Sequence, residues 1–170
     1  MIRFADRIDA LTRLVGRAVA WLALAIVLLQ FALVVARYGF VAGSVKLTEA
    51  VIYGQAALIM LACAWTLGAG GHERVDVFYA HASPRARALI DLLGSLLLLL
   101  PFALLLLYLS VPYAARSWAI LERSQDIAGL PFVYLLKTLI PAFAALMALQ
   151  GLAQAIRATQ ALRAPPAARQ

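Results

Sequence analysis

The chain has 170 residues, of which 65% are apolar and 14% charged, with a net charge of +7. Soluble domains are ~45–50% apolar and roughly a quarter charged, so a soluble globule of this composition would expose large apolar patches and aggregate. Nor does the positive charge point to nucleic acid, because the basic residues lie between long uncharged stretches and build no continuous basic face.

Residues 1–17 carry Phe4, Ile8, Leu11 and Val15 at helical spacing, with Arg3, Asp6, Asp9, Arg13 and Arg17 on the other side. Two arrangements fit this pattern: an amphipathic helix lying on the cytoplasmic membrane surface, or a cytoplasmic extension of the first span. A bilayer core needs about 20 apolar residues in a helix, and four stretches qualify. They are residues 18–36, 50–67, 88–113 and 131–156. The first has no A-x-A pattern behind it and reads as a retained helix, not a cleaved signal. Gly70-Gly71 suits the end of the second helix, and Ser83-Pro84 is an N-cap followed by proline at the first helical position of the third. Pro131 is placed to open the fourth in the same way. Pro101 and Pro141 fall inside helices three and four and are expected to bend them. Residues 158–170, rich in Ala, Arg and Pro, are expected to fray as a tail.

The fold class is therefore an all-α integral membrane protein. With both termini inside, ten basic residues face the cytoplasm and five the outside, as the positive-inside rule prefers. Trp21 then falls near the inner interface, and Tyr38, Tyr113, Trp118 and Tyr134 near the outer one.

The spans are informative for what they lack. No Asp, Glu, Lys, Arg or His lies at the centre of any of them, although a solo transporter of a polar solute needs such groups at depth. Gln30, Gln55, Thr66 and Gln150 are mild polar groups suited to bonding between helices, and Ala62, Thr66 and Gly70 form a small-residue stripe for close helix approach. Asp91 follows Arg87 by a helical pairing distance. Lys137, near the start of span four, can snorkel outward or pair with Glu49 or Glu122. Cys63 has no cysteine partner, and with only His72 and His81 beside it no zinc or haem site is expected. His72, Glu73 and Asp76 stand close together but read as a solvated or contact loop, not a metal site. No serine lies in a nucleophile motif, so neither catalysis nor a cofactor is expected. A stand-alone exporter would want a carboxylate in the first span, and a redox anchor a histidine at depth; neither is present.

The loop residues are more specific. Leu47-Thr48-Glu49-Ala50, the stretch Gly71-His72-Glu73-Arg74-Val75-Asp76-Val77-Phe78-Tyr79, and Ser83-Pro84-Arg85-Ala86-Arg87 come first. Ser117-Trp118, Glu122-Arg123-Ser124, Gly129-Leu130-Pro131, Tyr134, Lys137, Ile140-Pro141 and Gln150-Gly151 follow in order. Taken together they resemble the small permease subunit of tripartite ATP-independent periplasmic (TRAP) transporters, the DctQ-type family, across roughly residues 15 to 157. The likeness is closest to the branch often labelled for mannitol or chloroaromatic compounds, labels that do not specify a substrate. One departure is Glu73, where the family often carries an aliphatic residue.

The resemblance implies a brace in the bacterial inner membrane. A periplasmic binding protein delivers an organic-acid-type solute, and a large permease subunit holds the substrate and sodium sites. The small subunit packs beside that subunit's static scaffold. Its candidate contacts are Glu49, His72, Arg74, Asp76, Trp118, Glu122, Ser124 and Lys137, with Asp126 in the outer loop. The partners implied are the large subunit, the binding protein and lipid.

Overall fold

The computed structural model describes residues 2–71, 79 and 82–163. Among them there is no strand, and four helical rods are long and apolar enough to cross a membrane. Helix α1 is Ile2–Phe40 and α2 is Val45–Gly68. The third rod joins α3 (Pro84–Leu93), a π-helical turn (Gly94–Leu99) and α4 (Leu100–Ala119) without a break. Helix α5 is Val133–Arg163.

Local chemistry explains the helix ends. Ser44 caps α2 by accepting from the Leu47 N–H at 3.4 Å, which starts the helix at Val45, five residues before the apolar run. At the other end Gly70 has a φ of +71°, and the Gly71 N–H reaches the Thr66 carbonyl at 2.9 Å. This is a Schellman closure on a glycine that adopts the left-handed conformation without steric cost. Ser83 caps α3 through the Ala86 N–H at 3.2 Å, with Pro84 at the first helical position, as expected. The end of α4 repeats the Schellman pattern, with the Glu122 N–H on the Ser117 carbonyl at 3.0 Å. Here the left-handed position is Leu121, at a φ of 45°.

Several boundaries differ from the sequence reading. Helix α1 passes unbroken through residue 17, so the N-terminal residues extend the first span and are not set off as a separate helix. Arg13 and Arg17 interrupt the hydropathy, but arginine is a good helix former and no proline intervenes. At 39 residues α1 is about 58 Å long, well beyond a ~30 Å hydrocarbon core. Its buried stripe is Ala5, Ile8, Thr12 and Gly16, while Phe4 and Leu11 are exposed. Helix α5 starts at Val133, two residues after Pro131, where the Phe132 carbonyl accepts from the Leu135 and Leu136 N–H groups. It then continues to Arg163 with Ala158 buried, so residues 158–163 are helix and not tail.

The prolines are accommodated inside the rods. Just before Pro101 the Leu100 N–H bonds to the Ser95 carbonyl, five residues back. This π turn gives the ladder slack where proline supplies no N–H and its ring crowds the preceding turn. Pro112 also lies inside α4, and Pro141 inside α5.

Helix α5 is the hub, in contact with α1, α2, α3, the π turn and α4. In its most apolar stretch 33% is buried, against 11% in each other rod. The mid-bundle core is Ala64, Ala103 and Met147, with Cys63, Leu67, Leu99 and Phe143 packed around it. Small residues set the spacing. A Cβ on Gly16 would lie 2.5 Å from the Trp65 ring, and one on Gly54 would lie 2.9 Å from Ile26. The close approaches therefore fall on faces of α2 other than the predicted stripe; a Cβ on Gly70 would meet nothing within 4 Å.

Candidate functional site

Residues 18–36, 50–67, 92–115 and 138–156 contain no ionisable Asp, Glu, Lys, Arg or His. Polar structure collects at the two ends of the bundle. One end carries the α1–α2 and α4–α5 connections, and the other carries the start of α1, the end of α2, the start of α3 and the end of α5.

At the connection end, Glu49 near the start of α2 holds the α4–α5 loop. Its carboxylate accepts from the Ser124 hydroxyl and from the Leu130 backbone N–H at 2.5 Å. The loop closes on itself through Ser124 N–H to Leu130 O at 3.1 Å and Asp126 N–H to Ser124 Oγ at 3.2 Å. Gly129 belongs here because a Cβ would come within 2.8 Å of Glu49 Oε1.

Beside this knot, Lys137 Nζ donates to Glu122 Oε2 at 2.6 Å and sits 4.4 Å from the Tyr113 ring centroid. Of the options open to Lys137 in the sequence, the structure has the Glu122 pair. The ammonium holds the Glu122 carboxyl below its ordinary range. Trp118 Nε1 donates to Thr138 Oγ1 at 2.8 Å, and its ring meets Tyr134 edge-on at 4.6 Å. Six predicted contact residues (Glu49, Trp118, Glu122, Ser124, Asp126 and Lys137) thus gather at one end and bond to one another or to adjoining residues. The other three, His72, Arg74 and Asp76, lie outside the described residues.

The opposite end holds a network in which Gln150 bonds between helices, as its sequence suggests, to partners the sequence does not reveal. Gln150 on α5 is 1% exposed. Its Nε2 donates to Asp9 Oδ1 at 3.0 Å, and its Oε1 lies 3.3 Å from the Thr12 hydroxyl. Arg157 grips the same Asp9 carboxylate with both terminal nitrogens, Nη1 at 3.1 Å, and reaches Asp6 at 3.7 Å. Gly68 of α2 completes the packing, since a Cβ there would fall 2.5 Å from Gln150 Nε2. Asp6 and Asp9 read in sequence as part of a solvated face, and nothing local links Asp9 to a residue 148 positions away. Only Gln150 carried a signal, as a glutamine inside an alanine- and glycine-rich helix, a place where a lone amide needs a partner. Further along, the Tyr79 hydroxyl donates to Asp91 at 2.8 Å and Arg87 lies 5.5 Å from the Tyr79 ring, so the predicted Arg87–Asp91 neighbours meet at Tyr79.

Four membrane-length helices with charged groups drawn to the ends define a multi-pass membrane protein. Residues 26–161 match the family model for tripartite ATP-independent periplasmic transporters, DctQ component. The chain belongs to this family, the small permease component of TRAP transporters, which is a transporter-component and not an enzyme family. Such components operate with a large permease subunit and a binding protein. Comparison with curated proteins and with solved structures returns no match.

Proposed function

We propose that this chain braces the scaffold of the large permease subunit during sodium-coupled uptake of an organic-acid-type solute. A periplasmic binding protein delivers the solute, and the large subunit binds and moves it. The chain sits in the inner membrane with both termini in the cytoplasm. The observation that carries this reading is the placement of polar groups: the middle of the bundle is packed by Ala64, Ala103 and Met147, while hydrogen-bonded knots tie each end.

Such a body has little to offer a solute and much to offer as a stiff insert. Asp9, Gln150 and Arg157 lock α1 to α5 at one end. Glu49 locks α2 to the α4–α5 loop at the other. Long helices so fixed resist shear against a neighbour through van der Waals contact. The loop with Trp118, Glu122 and Ser124 faces the binding protein, and the stretch with His72, Arg74 and Asp76 meets the large subunit.

Co-expression with the large subunit, purification in mild detergent and reconstitution test this reading. The two chains are expected to co-purify, and liposomes holding this chain alone are expected to move no solute. Uptake by the lone chain would overturn the proposal.

A further inference from the structure

We infer that the outward α1–α2 face bearing Gln30 and Gln55 docks a transmembrane helix of the large permease subunit, one presenting amide, hydroxyl or carbonyl groups at their depth. The inference rests on the proposed function and adds which surface does the bracing.

Both glutamines lie inside the apolar spans, six residues before Ala36 and five after Ala50. Since α1 and α2 run in opposite directions, the contacts of Gly54 with Ile26 and of Gly16 with Trp65 set their register, and Gln30 lies about five residues, roughly 7 Å, nearer the connection end than Gln55. Both side chains are exposed, and neither makes a hydrogen bond among the described residues. They also share a face. Gln30 lines a groove with Arg37 and with Thr48 of α2. Thr48 precedes Gln55 by seven residues, two helical turns, and so points the same way. Ile52 and Ile59, 52% and 69% exposed, fill the rest of that stripe. The side of α2 that meets α5 carries Ala64 and Gly68 instead.

An amide left without a partner in hydrocarbon is unfavourable, because lipid tails neither donate nor accept. Two such amides on one face, little more than one helical turn apart in depth, call for a polar-bearing helix, and glutamine commonly bonds across helices in membranes. The other broad exposed surface, on α4, is different. Phe102, Leu105 and Leu109 are 62%, 56% and 58% exposed and suit acyl chains. A second copy of this chain is a poor occupant of the α1–α2 face. Arg37 lies in the same groove with no carboxylate in ion-pair range among the described residues, and a two-fold pairing would set two such cations together.

The test places photoreactive benzoylphenylalanine singly at positions 30, 55, 105 or 109 of the tagged chain, co-expressed with its large subunit and irradiated in native membranes. Adducts identified as this chain plus the large subunit are expected from positions 30 and 55, with only background from 105 and 109. Adducts from 105 and 109 alone, with the two subunits still co-purifying, would overturn the inference and leave the proposed function standing. Adducts between two copies of this chain at 30 and 55 would overturn it as well. Failure of the unmodified chains to co-purify would instead remove the proposed function.

Discussion

Ser124 donates its hydroxyl proton to the carboxylate of Glu49, a residue 75 positions earlier in the chain. The bond crosses from α2 to the α4–α5 loop, so that loop is fastened to the first turns of α2. Glu49→Ala removes the acceptor for both Ser124 and the Leu130 N–H. The expected outcome is a loosened loop: trypsin cuts after Arg123 faster than in the wild type, while the unfolding temperature of the helices changes little. Glu49→Gln, which keeps one acceptor oxygen, is expected to fall between.

Gln150 supports a different prediction. Gln150→Ala takes from Asp9 Oδ1 its amide N–H donor and from the Thr12 hydroxyl its amide acceptor, leaving Asp9 to Arg157 alone. Loss of a buried partner costs about 1–3 kcal/mol. A lower thermal midpoint in detergent is expected. Gln150→Glu should be worse, because it sets a second carboxylate against Asp9.

Gly16→Ala forces a Cβ against the Trp65 ring. Overpacking of this kind costs about 1–3 kcal/mol. Adding Trp65→Leu should recover part of the loss, so the double variant is expected to be more stable than the sum of the two single changes. Thermal unfolding of all four proteins measures that coupling.

The Glu122–Lys137 pair predicts a dependence on pH. The folded-state pKa of Glu122 is lowered, chiefly by its hydrogen bond from Lys137. Folding therefore favours the ionised form. The stabilisation is present above the ordinary glutamate range and is lost as pH falls below that range and through the lowered folded value. The difference in thermal midpoint between wild type and Glu122→Gln should shrink on acidification. A difference that stays constant from neutral pH to well below that range would contradict the assignment.

What the sequence made legible was local. Apolar runs marked the spans, and Ser83-Pro84 and Gly70-Gly71 marked helix ends, because cap and closure chemistry is written in adjacent residues. The unbroken α1 was not legible. Its N-terminal part is held by Ala5 and Ile8 packing on Ala153, a contact between the two ends of the chain. Residues 158–163 were read as tail on composition, although their helix is secured by burial of Ala158. Among the site residues, Lys137 and Glu122 were recognisable as one of a few possible pairs. The backbone N–H of Leu130 as a ligand of Glu49 was not, because every residue but proline carries an N–H and only the folded loop selects one.

The hub position of α5 bears on how the protein is made. A ribosome delivers α1, α2 and the α3–α4 rod before α5 emerges, and until then the third rod lacks its main packing partner. Membrane insertion must therefore shelter a half-built assembly, and the final segment converts it into a closed one. Shortening the chain before Gln150 would leave α1 without the lock that holds its first turns, and quality-control proteases are the expected recipients of such a product.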